Sequence, residues 1–446
     1  MRQAELESTI PKRRAFRGPL LHFLADPGST ACAEASPKVT GYFADGLLLV
    51  EDGLVSACGS AGDLLPRLDR SWALTEYQDK LILPGFVDCH THYPQTDMIA
   101  AHGEQLLQWL QHYAFPTEGR FVDAAHAVEL AEVFLDELLR NGTTTALVLA
   151  TVHSQSVDAF FGAAAARGLR MLAGKLLMDR NAPDYLTDTA ASGDADSRAL
   201  IEHWHGVDRL GYAITPRFAL TSSDAQLAQA GKLAAEYPDV YLHTHLAENR
   251  DESMRIAELF PASRGSLDVY ERFGLLRERA IFAHCLYLQA DDRRRLAECD
   301  AAIAFCPTSN LFLGSGLFDL AAADAAGVRV GLATDIGAGT SFGLLQTLGD
   351  AYKVLQLQGQ SLSSLRAFYL ATLGGARALS LDRYIGNFLP GKEADLVVLD
   401  PTATPLLARR MQGVHDLAER LFVLMTLGDD RCVAATYALG RLVHQR

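Results

Sequence analysis

The chain has 446 residues, with 40 Lys and Arg against 54 Asp and Glu, and a formal net charge of −14. With 49% hydrophobic and 21% charged residues, its composition is that of a folded protein with a sizeable core and disfavours disorder. The acidic balance argues against a nucleic-acid partner, which requires a positive face, and no apolar run approaches the roughly 18 residues that span a bilayer.

The N-terminus and the cysteines indicate the compartment. Charged residues from Glu5 to Arg14 precede any apolar stretch, which is not the order of a signal peptide. The seven cysteines are an odd number without regular spacing or a Cys-x-x-Cys pair. We therefore expect a reducing, cytoplasmic compartment and no thiolate zinc site.

Both ends of the chain are predicted to be rich in β-strands. Residues 47–50 and 54–58 flank a turn at 51–53 and form a hairpin. Near the other end, residues 394–399 and 432–437 are predicted strands. We expect residues 1–80 and 387–446 to combine into one small β-sandwich domain.

Between these ends, short apolar runs alternate with helical segments. A strand at 144–150 precedes a helix at 157–167, and a helix at 320–326 precedes a strand at 328–333. This alternation is typical of βα units around a parallel sheet. We therefore expect an α/β fold in which residues 81–386 form a (β/α)8 barrel resembling the TIM barrel. The polar stretch 179–198 is predicted to be a long loop.

The first candidate site is the motif Pro-Gly-Phe-Val-Asp-Cys-His-Thr-His at 84–92. Residues 81–87 are predicted to form a strand, and residues two apart on a strand face the same side. His90 and His92 should therefore project together at its carboxyl end, where barrel enzymes place their sites. Two neutral imidazoles suit zinc; the alternative is a pair of loop histidines without a ligand.

Three more candidates follow apolar runs. His243 and His245 end one run, and Glu248, three residues later, can carry protons; we expect His245 to be the ligand and His243 a supporting or core residue. His284 ends the run at 281–285, and Asp335 opens a glycine-rich loop within 328–341. Taken alone, His284 is more often structural and Asp335 a turn cap. Together with His90 and His92, they predict a metal site.

The order and context of these residues resemble the amidohydrolase superfamily over nearly the whole chain, including the terminal strands at 45–59 and 386–401. Within it the chain is similar to the guanine deaminases. The residues that carry this closer resemblance are Gln95 and the segments 107–110, 113–116, 215–218, 245–252 and 306–310.

The resemblance implies hydrolytic deamination of guanine to xanthine and ammonia by a homodimer with one zinc ion per chain. The implied metal ligands are His90, His92, His245 and Asp335, and the implied catalytic residues are Glu248, Asp335 and His284. Glu248 and His284 would also touch the substrate.

Further substrate contacts are expected from the chemistry of the side chains. Arg217 offers only donors and suits the purine O6 or a ring nitrogen, whereas Gln95 offers a donor and an acceptor. Phe218 and Trp109 can stack on a flat ring. The alternatives are a core role for Trp109 and a surface ion pair for Arg217.

Three other hypotheses stay open. Lys175 could be a carboxylated lysine that bridges two metals. The substrate could be another heterocycle, such as 8-oxoguanine, cytosine, a triazine or an adenine derivative. The barrel could be a scaffold without activity, although such a protein has no reason to keep all six polar residues. The motifs of the cytidine deaminase fold are absent from the sequence.

Overall fold

The computed structural model describes residues 12–28 and 36–446. Glu5 and Glu7, on which the expectation of no signal peptide partly depends, lie outside the described residues, as does Cys32. Within the described ranges, no helix is both long and apolar enough to cross a membrane.

The strands are β1 Arg13–Phe23, β2 Thr40–Glu51, β3 Leu54–Ser60, β4 Ala73–Glu76, β5 Leu81–Pro84, β6 Phe86–His92, β7 Thr143–Leu149, β8 Arg170–Gly174, β9 Leu176–Leu177, β10 Gly211–Pro216, β11 Tyr241–Leu246, β12 Ala280–His284, β13 Ala302–Phe305, β14 Arg329–Leu332, β15 Leu396–Leu399, β16 Val433–Ala438 and β17 Arg441–Gln445.

The α-helices are Ala61–Leu64, Leu106–Trp109, Phe115–Gly119, Ala124–Arg140, Ser154–Arg167, Ala190–Trp204, Asp224–Glu236, Arg250–Leu259, Ser266–Arg272, Ala290–Glu298, Pro307–Phe312, Leu320–Ala325, Leu344–Leu357, Ser364–Tyr369, Gly375–Ala378, Pro405–Met411 and Leu417–Leu427. Two π-helical turns, Leu110–Ala114 and Leu370–Gly374, continue helices without a break.

The central sheet is the predicted barrel. In the described chain its strands run in the order β14-β13-β12-β11-β10-β8-β7-β6, with β9 added beside β10, and every ladder is parallel. Beyond β14, backbone bonds from Asp335 N to His90 O (3.0 Å) and from His92 N to Ile336 O (3.0 Å) join its two ends. Closure therefore occurs at the carboxyl ends of the strands, beside the candidate site.

The outer helices cover the barrel with their apolar faces. In Ala124–Arg140 the buried side chains recur every three or four residues, from Ala127 to Leu139, which is the spacing of one helical face. Asp123 caps this helix by accepting a hydrogen bond from the Ala125 amide.

The chain ends form one mixed sheet, whose described strands run in the order β17-β16-β15-β5-β1-β2-β3 with β4 beside β1. Strands from both ends of this order share one apolar cluster, which includes Leu48, Val55, Val398 and Tyr437. The sheet therefore bends around its own core, as the predicted sandwich requires.

A buried ionic cluster joins this sheet to the barrel. Arg209, just before β10, donates to Glu393 (2.7 Å) and Asp395 (2.8 Å), just before β15. Arg209 also donates to the Gly168 carbonyl (3.0 Å), and Arg170 pairs with Glu393. Because Arg209 and Asp395 are buried, each of these two charges depends on its partners.

The predicted strand at 81–87 is wrong, because the chain breaks at Gly85 into β5 and β6. Pro84 has no amide hydrogen to continue a ladder, and a side chain at Gly85 would collide with Thr144. β5 pairs with β15 in the terminal sheet, although the predicted boundary placed residue 81 in the barrel. The histidines nevertheless lie at the carboxyl end of β6.

The predicted loop at 179–198 is also wrong in its second half. The helix Ala190–Trp204 begins there, capped by Thr189 and Ser192, whose side chains each accept a hydrogen bond from the other residue's amide. This capping box satisfies amide groups that would otherwise lack partners at the helix start, and so allows the helix to begin within a polar sequence.

Candidate metal centre and active site

The predicted metal ligands and the predicted catalytic residue His284 meet at the carboxyl ends of four barrel strands. His90 and His92 end β6, His245 lies in β11, His284 ends β12, and Asp335 follows β14. All five side chains are at least nine-tenths buried. The structure thus brings together residues that are far apart in sequence.

Their ligand atoms are spaced as a small cation requires. His90 Nε2 lies 3.1 Å and His92 Nε2 3.4 Å from Asp335 Oδ1, and the Nε2 atoms of His92 and His245 are 3.2 Å apart. Zinc–ligand bonds of about 2.0–2.1 Å in a tetrahedron place neighbouring ligands about 3.3 Å apart. Ligand atoms of His90, His245, His284 and Asp335 also lie within 4.8 Å of one another, so His284 borders the same point.

Hydrogen bonds determine which ring nitrogen of two histidines is free. His245 Nδ1 donates to the Arg217 carbonyl (2.7 Å), and His284 Nδ1 donates to Asn310 Oδ1 (2.9 Å). In a neutral ring the lone pair is then on Nε2, which faces the site. The buried Nε2 atoms of His90 and His284 make no hydrogen bond within the described residues, so both fit a bound cation or its water.

The protonation states of the ligand side chains favour metal binding. Burial lowers the pKa of His90 and His245, and it lowers that of His92 to about 4. Burial alone would raise the pKa of Asp335, but the positive charge of His90 when it is protonated, together with hydrogen bonds from His90 and His92, outweighs it and lowers that pKa well below its usual range; a bound cation acts in the same direction. Neutral imidazoles and an ionised carboxylate are the forms that bind metals.

His243 lies behind the ligands rather than among them. Its Nε2 is 2.6 Å from His90 Nδ1, and its side chain is buried. If His90 binds a metal through Nε2, its Nδ1 hydrogen is donated to His243. His243 therefore has the supporting position expected from the sequence.

Asp88 fixes Asp335 relative to β6. Its carboxylate accepts from the Thr334 hydroxyl, from the Thr334 amide (3.1 Å) and from the His90 amide (3.2 Å). Burial raises its pKa to about 7. Sequence reasoning included Asp88 in the first motif but assigned it no role; it holds together the two strand ends that carry His90 and Asp335.

The backbone is strained where the strands turn into the site. His284 (φ 71°), Asp335 (φ 52°) and Ala247 (φ 50°) all adopt left-handed conformations, which are unfavourable for residues with a side chain. Such strain is typical of functional sites, where the surrounding structure holds a residue in place.

Glu248 borders the ligands without joining their cluster. Its Oε2 lies 3.5 Å from His284 Nε2, and its amide donates to Glu252 (2.8 Å) at the start of the helix Arg250–Leu259. Burial and the charge of Asp335 raise the pKa of Glu248 well above its usual range. A carboxyl group that keeps its proton in this position is suited to proton transfer.

Gln95 and Arg217 meet on a carboxylate that the sequence interpretation missed. Glu118 Oε1 accepts from Gln95 Nε2 (2.8 Å), and Glu118 Oε2 accepts from Arg217 Nη1 (2.6 Å). Arg217 is therefore in a buried ion pair, not the surface pair considered above. Glu118 lies only two residues after the segment 113–116. The signal for its role was that Gln95 and Arg217 are both hydrogen-bond donors, and two buried donors at one place require an acceptor.

A small cavity lies over these residues. Trp109 and Phe218 line it together with Gln95 and Arg217 and, from the metal site, His92, His245, His284 and Asp335. Its volume is about 20 Å³, room for about one water molecule. Leu110 and Phe218 also line a neighbouring hollow of about 700 Å³. The buried indole N–H of Trp109 has no hydrogen-bond partner among the described residues, so Trp109 can donate as well as stack.

The helical segment above the cavity has a π-turn, Leu110–Ala114, between Trp109 and Phe115. Pro116 lacks the amide hydrogen that a regular helix would donate to His112, which favours a wider turn here. π-turns are frequent at functional sites.

Lys175 does not lie in the metal cluster. Its buried ammonium is 2.5 Å from Asp188 Oδ2 and 3.7 Å from Asp196 Oδ2. A carboxylated lysine is anionic and would be repelled by these carboxylates. The geometry therefore argues against a two-metal bridge.

Known proteins are similar to this chain over most of its length. A model described as the amidohydrolase family matches residues 81–443. The chain is 56% identical to guanine deaminase from Escherichia coli (strain K12) over 405 residues, which cover 91% of this chain and 92% of that protein.

Solved structures show the same similarity. A structure of E. coli guanine deaminase matches with a TM-score of 0.93 and 52% identity, over 97% of this chain and 100% of that one. The crystal structure of guanine deaminase from C. acetobutylicum with bound guanine in the active site matches with a TM-score of 0.87 and 27% identity, again over 97% and 100% of the two chains.

Proposed function

This chain belongs to the amidohydrolase family, and we infer that it is a guanine deaminase, a hydrolase that converts guanine and water into xanthine and ammonia. The observation that carries this inference is the buried donor pair Gln95 and Arg217, which lines the same cavity as the histidine and aspartate cluster. The similarity to guanine deaminases over nearly the whole chain supports it.

Donor groups at this position distinguish guanine from adenine. Guanine has a carbonyl oxygen at C6, which accepts from Arg217, whereas adenine has an amino group there that would face donors. A buried donor without an acceptor costs about 1–3 kcal/mol. Adenine also has its amine on C6 rather than C2, so it presents the wrong carbon to the reacting centre.

The metal in the proposal is one zinc ion per chain, held by His90, His92, His245 and Asp335. The 3.1–3.4 Å spacing of their facing ligand atoms and the set of three imidazoles with one carboxylate fit a tetrahedral site of this kind. When bound, zinc lowers the pKa of a coordinated water to about 7 and so supplies a nucleophile near neutral pH.

The proposed catalytic residues are Asp335, Glu248 and His284. Asp335 accepts a proton from the attacking water, and Glu248 donates its proton to the purine ring nitrogen next to C2. Asp335 then passes the water proton to the amine, the C2–N bond breaks and ammonia leaves, and the C2 hydroxyl gives its proton to Glu248 as it becomes the C2 carbonyl of xanthine. His284 Nε2, 3.5 Å from Glu248 Oε2, orients the water with its free lone pair and contacts the substrate.

Gln95, Trp109, Arg217 and Phe218 are the remaining proposed substrate contacts. Gln95 and Arg217 bind polar edges of the purine, and the aromatic side chains cover its faces. Because the cavity has room for about one water molecule, a purine enters only when side chains such as Leu110 and Phe218 move aside.

We propose that the protein is a cytoplasmic homodimer that binds neither nucleic acid nor membranes. The odd number of cysteines and the net charge of −14 support the compartment and the absence of a nucleic-acid partner, and the family resemblance supports the dimer. Light scattering on the purified protein measures its mass directly, and a monomeric mass would contradict the dimer.

Ammonia release from a panel of heterocycles tests the proposed function. We expect guanine to be deaminated far faster than adenine or cytosine, with xanthine as product; 8-oxoguanine and a triazine complete the panel. Comparable rates on adenine and guanine would contradict the proposal and favour another heterocycle, and zinc-loaded protein inactive on the whole panel would favour a scaffold.

A further inference from the structure

We infer that Glu118 is a positioning residue that sets the specificity of the site, because its carboxylate holds Gln95 and Arg217 as one fixed pair of donors. This inference rests on the proposed function, since the pair matters only if a purine binds against it. Glu118 is fully buried and does not line the cavity, whereas Gln95 and Arg217 do. It therefore acts through them.

Glu118 determines the orientation of the Gln95 side-chain amide. The amide nitrogen donates to Glu118 Oε1 (2.8 Å), and the amide oxygen accepts from the Gly337 N–H (3.2 Å). Turning the amide over would place its oxygen against a carboxylate and its N–H groups against another N–H. Gln95 thus has one orientation.

The second hydrogen on Gln95 Nε2 is the one available to a ligand. This nitrogen lies 3.4 Å from His92 Nδ1. A metal on His92 Nε2 leaves the ring proton on Nδ1, which then cannot accept. The amide hydrogen then has no acceptor on His92, and an acceptor on a ligand in the cavity that Gln95 lines would satisfy it.

Glu118 also supplies the negative charge that allows Arg217 to be buried beside a cation site. Arg217 is buried, its guanidinium lies 5.5 Å from the Phe115 ring centre, and it lines the same cavity as His245. Without a counter-charge, Arg217 would be repelled from the metal and displaced from the cavity. The 2.6 Å bond to Glu118 offsets that charge and fixes the direction of the other guanidinium hydrogens.

Both effects concern recognition of a carbonyl acceptor such as O6 and not the chemistry at C2. The telling comparison is therefore between guanine and 2-aminopurine, which has the same amine at C2 and lacks O6. In Glu118→Gln the new amide has one acceptor oxygen and one donor group, so it can bind only one of the two donors and repels the other.

The experiment measures kcat and KM for guanine and 2-aminopurine in the wild-type protein and in Glu118→Gln. We expect the ratio of kcat/KM for guanine over that for 2-aminopurine to fall at least about tenfold, the size of one lost hydrogen bond in a buried site. The zinc content should be unchanged. Glu129→Gln, at an exposed position, is the matched control and should keep the wild-type ratio.

One further variant keeps the result interpretable if Glu118→Gln folds poorly, and a second isolates the contribution of Arg217. Glu118→Asp keeps the charge and both acceptors and should restore part of the ratio. In an Arg217→Met background, Glu118→Gln should change the ratio less than about twofold. Arg217 is then already missing, so the new amide has only Gln95 to bind and no second donor to repel. An unchanged ratio in Glu118→Gln, or an equal loss on both substrates, overturns the inference alone. Wild-type protein inactive on guanine overturns the proposed function first.

Discussion

Replacing Glu248 by glutamine tests the division between metal binding and proton transfer. Glutamine keeps the size and planar shape of the side chain but cannot give up or accept the proton. Because Glu248 has a pKa raised well above its usual range by burial and by Asp335, neutral glutamine also resembles its protonated form in charge. We therefore expect kcat to fall while folding and zinc content stay the same.

The size of the loss follows from the surroundings of Glu248. The side chain is 4% exposed, so bulk water cannot easily replace the missing proton donor. General acid–base groups contribute about 10²- to 10⁴-fold to rates, and a loss of 10²-fold corresponds to about 2.7 kcal/mol in activation free energy. We expect a loss of at least this size, with residual activity from His284.

The assay combines steady-state ammonia release from guanine with elemental analysis of the same preparation. Glu129→Gln, the exposed control, should have wild-type kcat and zinc. Loss of zinc from Glu248→Gln would show that Glu248 is a ligand and that the proposed roles of His245 and Glu248 are wrong. A kcat within threefold of wild type would show that another group carries the proton.

Three other expectations follow from the structure. Elemental analysis should find about one zinc per chain, and two tightly bound metals would revive the bridging role of Lys175. Met in place of Arg209 leaves Asp395 without its buried partner and should lower the free energy of unfolding by about 3–5 kcal/mol; an unchanged denaturant midpoint would contradict this. Burial lowers the pKa of His22 from 6.5 to about 4, so the unfolded chain binds the proton more tightly and stability should fall by about 3 kcal/mol as the pH drops through this window. His22→Gln should remove that part of the acid loss, and identical pH profiles for the two proteins would contradict the assignment.

The barrel and the strand-end cluster could be predicted from the sequence because both follow local rules. Apolar runs that alternate with helical segments predict parallel strands, and polar residues at the ends of such strands meet at one rim of a barrel. His90, His245, His284 and Asp335 each follow such a run, so their meeting required no knowledge of side-chain packing.

Glu118 and Asp88 could not be assigned in this way because their roles depend on distant partners. Glu118 binds residues 23 and 99 positions away, and Asp88 binds Thr334, 246 positions away. An isolated acidic residue on a short helix or in a strand has no local pattern that reveals such contacts. The break at Gly85 had a local signal in Pro84, whereas the close approach of Thr144 that requires a glycine there depends on another strand.

The pairing of β5 with β15 has a consequence for protein synthesis. β5 leaves the ribosome before any barrel strand, whereas its antiparallel partner β15, with Leu396 opposite Pro84, is made only after the whole barrel. Until then one edge of β5 has no strand to pair with, and such edges promote association between nascent chains. Chains that end before β15 would therefore expose this edge of β5, and the exposed edge is where such chains would pair with one another.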